Sequence, residues 1–167
     1  ALDWGILIAG IAAASMVIGN LVAISQSNIR RLFGYSTISH AGYILVGVAA
    51  GVKSGEGIFK VPEFAPIGLD SVLFYLVAYA ASNLAAFFVI IVISSNTCSE
   101  VIKDIFGFGR QSTLLFGILS FALISLTGIP PTVGFMGKMY LFSSAVSSGL
   151  AWLAVIGLLN SVLSAYY

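Results

Sequence analysis

The chain alternates between long apolar runs and short polar clusters. Uncharged stretches cover residues 4–29, 32–52, 71–99, 111–137 and 139–167. A bilayer core is crossed by about 20 apolar residues in helical form. Lipid offers the backbone no hydrogen-bond partner, so only helices or closed barrels can span it. Alternation at period two is absent, and the runs exceed the roughly 10 residues of a barrel strand. The pattern predicts an all-α membrane protein, a polytopic bundle of five transmembrane helices at about 4–27, 32–52, 71–97, 112–147 and 149–167.

The fourth of these is too long for one straight span. Residues 112–146 would reach about 52 Å at 1.5 Å per residue. Thr127-Gly128-Ile129-Pro130-Pro131 interrupts them. The two prolines remove two N–H donors, and Pro131 disfavours helical geometry at Pro130. One discontinuous helix is expected, 112–128 followed by 132–147, with Gly128, Pro130 and Pro131 as the break. Irregular backbone at membrane depth survives only where protein or water covers it.

Composition supports the same class. Of 167 residues 59% are hydrophobic and 8% charged, with seven Lys+Arg, six Asp+Glu and one His. Soluble domains carry about a quarter charged residues, and a nucleic-acid binder needs a basic stripe. Both are excluded, as is a disulfide framework built on the lone Cys98. Arg30, Arg31, Lys103 and Arg110 flank the first and third loops, against Lys53 and Lys60 in the second, which also holds Glu56, Glu63 and Asp70. Positive-inside counting puts the first and third loops in the cytoplasm and Asp3 outside. With neither an initiator Met nor a signal peptide, the chain reads as part of a longer membrane protein.

Chemistry is confined to polar groups within the spans. No soluble-enzyme motif is present, and Gly107-Phe108-Gly109 lacks both the third glycine position and the preceding strand of a dinucleotide fingerprint. One His and one Cys are too few for a metal or haem site. Lys138 is the single charge within an apolar stretch, eight residues past Pro130. An ammonium deprived of water is a candidate to take up and release a proton; the alternative is a lysine snorkelling to a helix end. The helix break beside it argues for the first, since broken helices mark ion sites in transporters. His40, on one face with Ser36 and Tyr43, is either a relay or a hydrogen-bonded interhelical histidine. Tyr75, Tyr79, Ser82 and Asn83 form a stripe at helical spacing that either orders water or holds helices together. Asn20, Asn160, Ser161 and Ser164 are ambiguous in the same way, with packing favoured. Gly47-x-x-x-Gly51 reads as a close helix contact.

Two long runs carry a resemblance. IGNLVAISQSNIRRLFGYSTISHAGY (18–43) and LTGIPPTVGFMGKMY (126–140) resemble signatures of the antiporter-like membrane subunits of respiratory complex I. The likeness covers essentially the whole chain. It implies the second of two inverted five-helix repeats, each with a discontinuous helix. It further implies Lys138 as a proton-carrying residue near the outward exit, His40 as a polar residue of a hydrated central axis, and Tyr79, Ser82 and Asn83 as the corresponding stretch of that axis.

The implied function is that of a proton-translocating subunit of NADH:quinone oxidoreductase in the bacterial inner membrane. The alternative is a subunit of a multi-subunit cation/proton antiporter. No cofactor or metal is expected in this chain; NAD, FMN, iron–sulfur clusters and quinone are expected in partner subunits. The expected partners are the bilayer and other membrane subunits, neighbouring antiporter-like ones included, and no nucleic acid. Arg30 departs from the lysine common in the family; an arginine stays charged, so no proton role is expected there.

Overall fold

The computed structural model describes residues 3–53, 68–97, 99–102 and 112–167. Lys60, Glu56, Glu63, Cys98, Lys103, Arg110 and Gly107-Phe108-Gly109 lie outside the described residues. Six helices are present among them: α1 Trp4–Ile24, α2 Ile29–Lys53, α3 Gly68–Thr97, α4 Thr113–Thr127, α5 Val133–Ser147 and α6 Ala151–Ser164. Three of them, α1, α2 and α3, are long and apolar enough to cross a membrane, whereas α4 and α6 are apolar but shorter. Large apolar side chains cover the outside, among them Trp4, Val77, Leu84, Leu114 and Phe121. Such a surface belongs in lipid or against other protein rather than in water.

Local chemistry sets the helix ends. Asp3 caps α1, its carboxylate accepting from the Gly5 and Ile6 amides at 3.1 and 3.4 Å, which satisfies two of the four orphan donors at a helix start. The same device opens α2, where Asn28 Oδ1 accepts from the Arg30 and Arg31 amides. Gly128 ends α4 in the left-handed conformation at φ 85°, which glycine adopts without a Cβ penalty. The Pro130–Pro131 peptide is cis.

α1 and α2 form an antiparallel pair in close contact. A Cβ at Gly19 would fall 2.5 Å from Ser39 Oγ, and one at Gly42 would fall 2.9 Å from the Met16 amide nitrogen. These two glycines let the backbones approach. Within the expected contact motif Gly47-x-x-x-Gly51, Gly47 is buried, while a Cβ on Gly51 would meet nothing within 4 Å. The spacing of small residues marks compatible positions, and the register of the partner decides which are used.

The turn before α2 meets the segment after α3. Ile29 N donates to Glu100 O at 3.0 Å and Ile102 N to Ser27 O at 3.1 Å. Arg30 pairs with Glu100 at 2.7 Å, and Asn28 donates to the same carboxylate. The turn before α2 and residues 99–102 after α3 thus share one side of the bundle, while Lys53 at the end of α2 lies beside Gly5 on the other.

Two apolar clusters divide the interior. One gathers Ala9, Met16, Tyr43, Val46, Tyr75, Leu141 and Leu153; the other gathers Ile29, Phe33, Val89, Ile93, Leu119 and Leu126. On α2 they flank residues 36–40, and on α3 they flank residues 79–83. A polar layer is left between them, at mid-height, level with the interruption between α4 and α5.

Candidate functional site

Lys138 is built into that layer from α5 and is 3% exposed. Its Nζ donates to Leu126 O at 3.0 Å, Thr127 O at 2.7 Å and Ser161 Oγ at 3.0 Å. An ammonium has three N–H groups, and all three are used. The Tyr43 ring lies beneath, its centroid 4.9 Å from Nζ, a favourable geometry for a cation over an aromatic face. None of these partners carries a formal charge. The snorkelling alternative does not describe this side chain, which turns inward to the end of α4.

The origin of those acceptors can be traced to the sequence. In a continuous helix the amide of residue 130 would bond to the Leu126 carbonyl, and that of 131 to Thr127. Both positions are proline and have no amide hydrogen. Gly128 N and Ile129 N instead turn back to Ile124 O. Leu126 O and Thr127 O are left at a helix C-terminus, where partial negative charge accumulates, and Lys138 takes both. Glycine at 128 leaves room for the lysine stem: a Cβ there would lie 3.0 Å from Lys138 Cδ. Gly134 brings α5 against α4, since a Cβ there would overlap the Ser125 carbonyl oxygen.

His40 occupies the adjoining part of the layer and is 4% exposed. Its Nδ1 and the Tyr75 hydroxyl are 2.6 Å apart, and its ring stacks on Tyr79 with centroids 4.7 Å apart. Tyr79 donates to Thr37 Oγ1 at 3.2 Å. The hydroxyls of Ser82 and Ser125 are 2.9 Å apart and join α3 to α4. Tyr43 stands between the two titratable groups, its ring centroid 5.8 Å from that of His40. The stripe therefore divides: Tyr75, Tyr79 and Ser82 join the network, whereas Asn83, half-buried, makes none of these contacts.

Cavities adjoin the network, two of them lined by His40. A space of about 10 Å³ is lined by His40, Tyr75, Tyr79, Ser82, Ser125 and Gly134, among others, on the order of the room one water needs. A larger one of about 260 Å³ is lined by Ser36, His40, Thr127, Ser164 and Tyr167 together with apolar groups of α2 and α4. The ambiguous asparagines join α1 to α6 and adjoin the larger cavity through Tyr167. Asn20 donates to the Asn160 carbonyl and side-chain oxygens, both at 3.0 Å, and accepts from the Tyr167 hydroxyl at 2.8 Å.

Ser161, Ser125 and the Tyr43 face are neighbours in the candidate site that spacing alone does not pair with Lys138 or Ser82. The helical i−4 rule applied to Pro130 and Pro131 does point to Leu126 and Thr127 as free acceptors. The identity of the donor does not follow from it.

Comparison with known proteins agrees with this architecture. A subunit N 2 of NADH-quinone oxidoreductase from Chloroherpeton thalassium is 45% identical over 169 residues, covering 100% of this chain and 30% of that protein. Subunit N from Dehalococcoides mccartyi is 46% identical over 165 residues, covering 99% and 32%. The chain thus spans about a third of the length of these relatives. The structure of the Mrp complex from Dietzia sp. DQ12-45-1b superposes with a TM-score of 0.76 at 26% identity, covering 96% of this chain and 28% of that one. Respiratory complex I from Thermus thermophilus with bound aureothin gives 0.72 at 29% identity, covering 96% and 34%. The family described as NADH:quinone oxidoreductase/Mrp antiporter, TM, matches residues 1–164, and the chain belongs to that membrane family.

Proposed function

We propose that this chain is the proton-carrying repeat of a membrane subunit of NADH:quinone oxidoreductase, with Lys138 as the carrier. The observation behind this reading is the inward-turned Lys138 ammonium, held on three uncharged oxygens at the interruption between α4 and α5. A charge at that depth is costly, and such residues in membrane helices mark ion pathways. Residues 113–147 cross the bilayer as one discontinuous fourth helix, and α6 forms the fifth span, giving a five-helix repeat. His40, Tyr75, Tyr79 and Ser82 line the approach, and water in the adjoining cavities bridges the distances that side chains leave. Asn83 faces the same axis without a direct bond. Loops one and three face the cytoplasm of a bacterial inner membrane, and neighbouring membrane subunits deliver and receive the charge. Redox chemistry belongs to other subunits of the complex.

The chain's own residues would act in a simple order. The proton arrives along the His40 side of the layer and completes the ammonium on Lys138. Leu126 O, Thr127 O and Ser161 Oγ hold that form until a change in charge nearby favours release toward the side of Lys53.

Replacing Lys138 with Met in the full-length subunit, assembled in its complex, tests the reading. NADH-driven proton uptake into inverted vesicles is expected to fall severalfold per NADH oxidised; undiminished uptake per NADH overturns it. The superposition on the Dietzia Mrp complex favours a second reading, a subunit of a cation/proton antiporter. Proton movement driven by a sodium gradient, in membranes without quinone reductase activity of this complex, would select that reading.

A further inference from the structure

We infer that the interruption between α4 and α5 is an ammonium-binding cage in its own right, which the chain fills with its own Lys138. The cage consists of Leu126 O, Thr127 O and Ser161 Oγ, at 3.0, 2.7 and 3.0 Å from the nitrogen, with the face of Tyr43 at 4.9 Å. Three convergent acceptors match the three hydrogens of a primary ammonium. An alkali cation has no hydrogens to aim, and a planar guanidinium presents its donors in a fork of different shape.

The acceptors do not depend on the lysine for their placement. Leu126 and Thr127 end α4 where Gly128 turns the chain, and the prolines that leave their carbonyls free belong to the backbone path itself. Ser161 is fixed separately from α6, donating to Thr127 O at 3.1 Å while it accepts from Lys138. Half-helix C-terminal ends with unwound carbonyls are known devices for holding monovalent cations within membranes. Two of the acceptor residues, Leu126 and Thr127, also line the cavity of about 260 Å³, which brings open space next to the cage.

With the tether shortened, a small free ammonium should take its place. Methylammonium is the fitting probe, because its three N–H groups reproduce Lys138 Nζ and its methyl group takes the position of Cε. Tetramethylammonium carries the same charge without a donor. The functional meaning of the cage rests on the carrier reading above, but its existence is tested separately, by binding.

The test uses the full-length subunit with Lys138→Ala, purified in detergent, and follows its melting temperature against methylammonium chloride and tetramethylammonium chloride at equal ionic strength. A saturable rise with methylammonium alone is expected. Adding Ser161→Ala to Lys138→Ala should raise the half-saturating concentration at least about tenfold, by removing one of three acceptors. Lys138→Met, whose side chain refills the space with apolar atoms, should not respond. Equal responses to the two cations, or no response to either, overturn the cage. If Lys138→Ala unfolds without the ion, the yield of folded protein after solubilisation in each salt makes the same comparison, and equal yields overturn it. A methylammonium response combined with undiminished pumping by Lys138→Met would retain the cage and remove the carrier reading; the reverse outcome would remove the cage alone.

Discussion

Replacing Pro130 and Pro131 together with alanine returns two N–H groups at the positions from which a helix would bond Leu126 O and Thr127 O. The magnitude follows from what each state gains. Proline in a helix interior is about 3 kcal/mol worse than alanine, so the double replacement favours a continuous helix by about 6 kcal/mol relative to the native chain. Opposing it are the two bonds from Lys138 to the same carbonyls, each charge-assisted and worth about 1.5–3 kcal/mol, or about 3–6 kcal/mol together. The two sides are of equal order, so the variant should populate both the interrupted and the continuous form. A continuous helix separates residues 118 and 146 by about 42 Å at 1.5 Å per residue. Ile118 and Val146 are exposed and accept spin labels in a cysteine-free background. Pulsed electron resonance on the full-length variant should show a second distance population near that value, together with reduced proton pumping. A single native-like distance with native pumping would refute the argument that the missing amides create the acceptors of Lys138.

Gly128→Ala should lower stability by about 1–2 kcal/mol, the cost of a left-handed non-glycine residue, because φ is 85° and the new Cβ would lie 3.0 Å from Lys138 Cδ; chemical denaturation of the purified subunit reads this directly. Asn20→Leu should be worse, since the Asn160 oxygens and the Tyr167 hydroxyl lose their partner at about 1–3 kcal/mol for each buried group left unpaired, seen as a fall in melting temperature of several degrees. Glu100→Gln should cost no more than about 1 kcal/mol, because the pair with Arg30 is 38–52% exposed and such pairs contribute little; a large loss in the same melting assay would show that the loop contact matters beyond its charge.

Much of this architecture is legible in the chain because membrane residence leaves few options. Charge gaps predict the long helices, and the ends of α2 and of the α4 and α5 pair fall within a few residues of expectation. The prolines and Gly128 announce the interruption, since missing amides and a left-handed turn are local properties. Less is legible across helices. Nothing in the spacing distinguishes Ser82, which meets Ser125, from Asn83, which joins no partner in the layer. Ser161 looks no different from Ser164 until α6 is packed beside α5. Gly51 and Gly42 are equally small, yet only the register of α1 against α2 makes one of them a close contact. Local rules determine where the backbone stops pairing with itself; tertiary packing determines which side chain answers.

The absence of a formal negative charge among the three acceptors of Lys138 has an electrical consequence. When a lysine sits beside a carboxylate, gaining or losing a proton converts an ion pair into a lone ion, and the two partners screen each other from outside. Here the partners are dipoles that stay where they are, so protonation takes this group of side chains from neutral to a net charge of one, where a carboxylate partner would take it from minus one to neutral. Moving one elementary charge across a membrane is worth about 2.3 kcal/mol per 100 mV, and a site at mid-height feels about half of that. On the proposed carrier reading, transmembrane voltage acts at Lys138 on a positive charge that none of its direct partners neutralises.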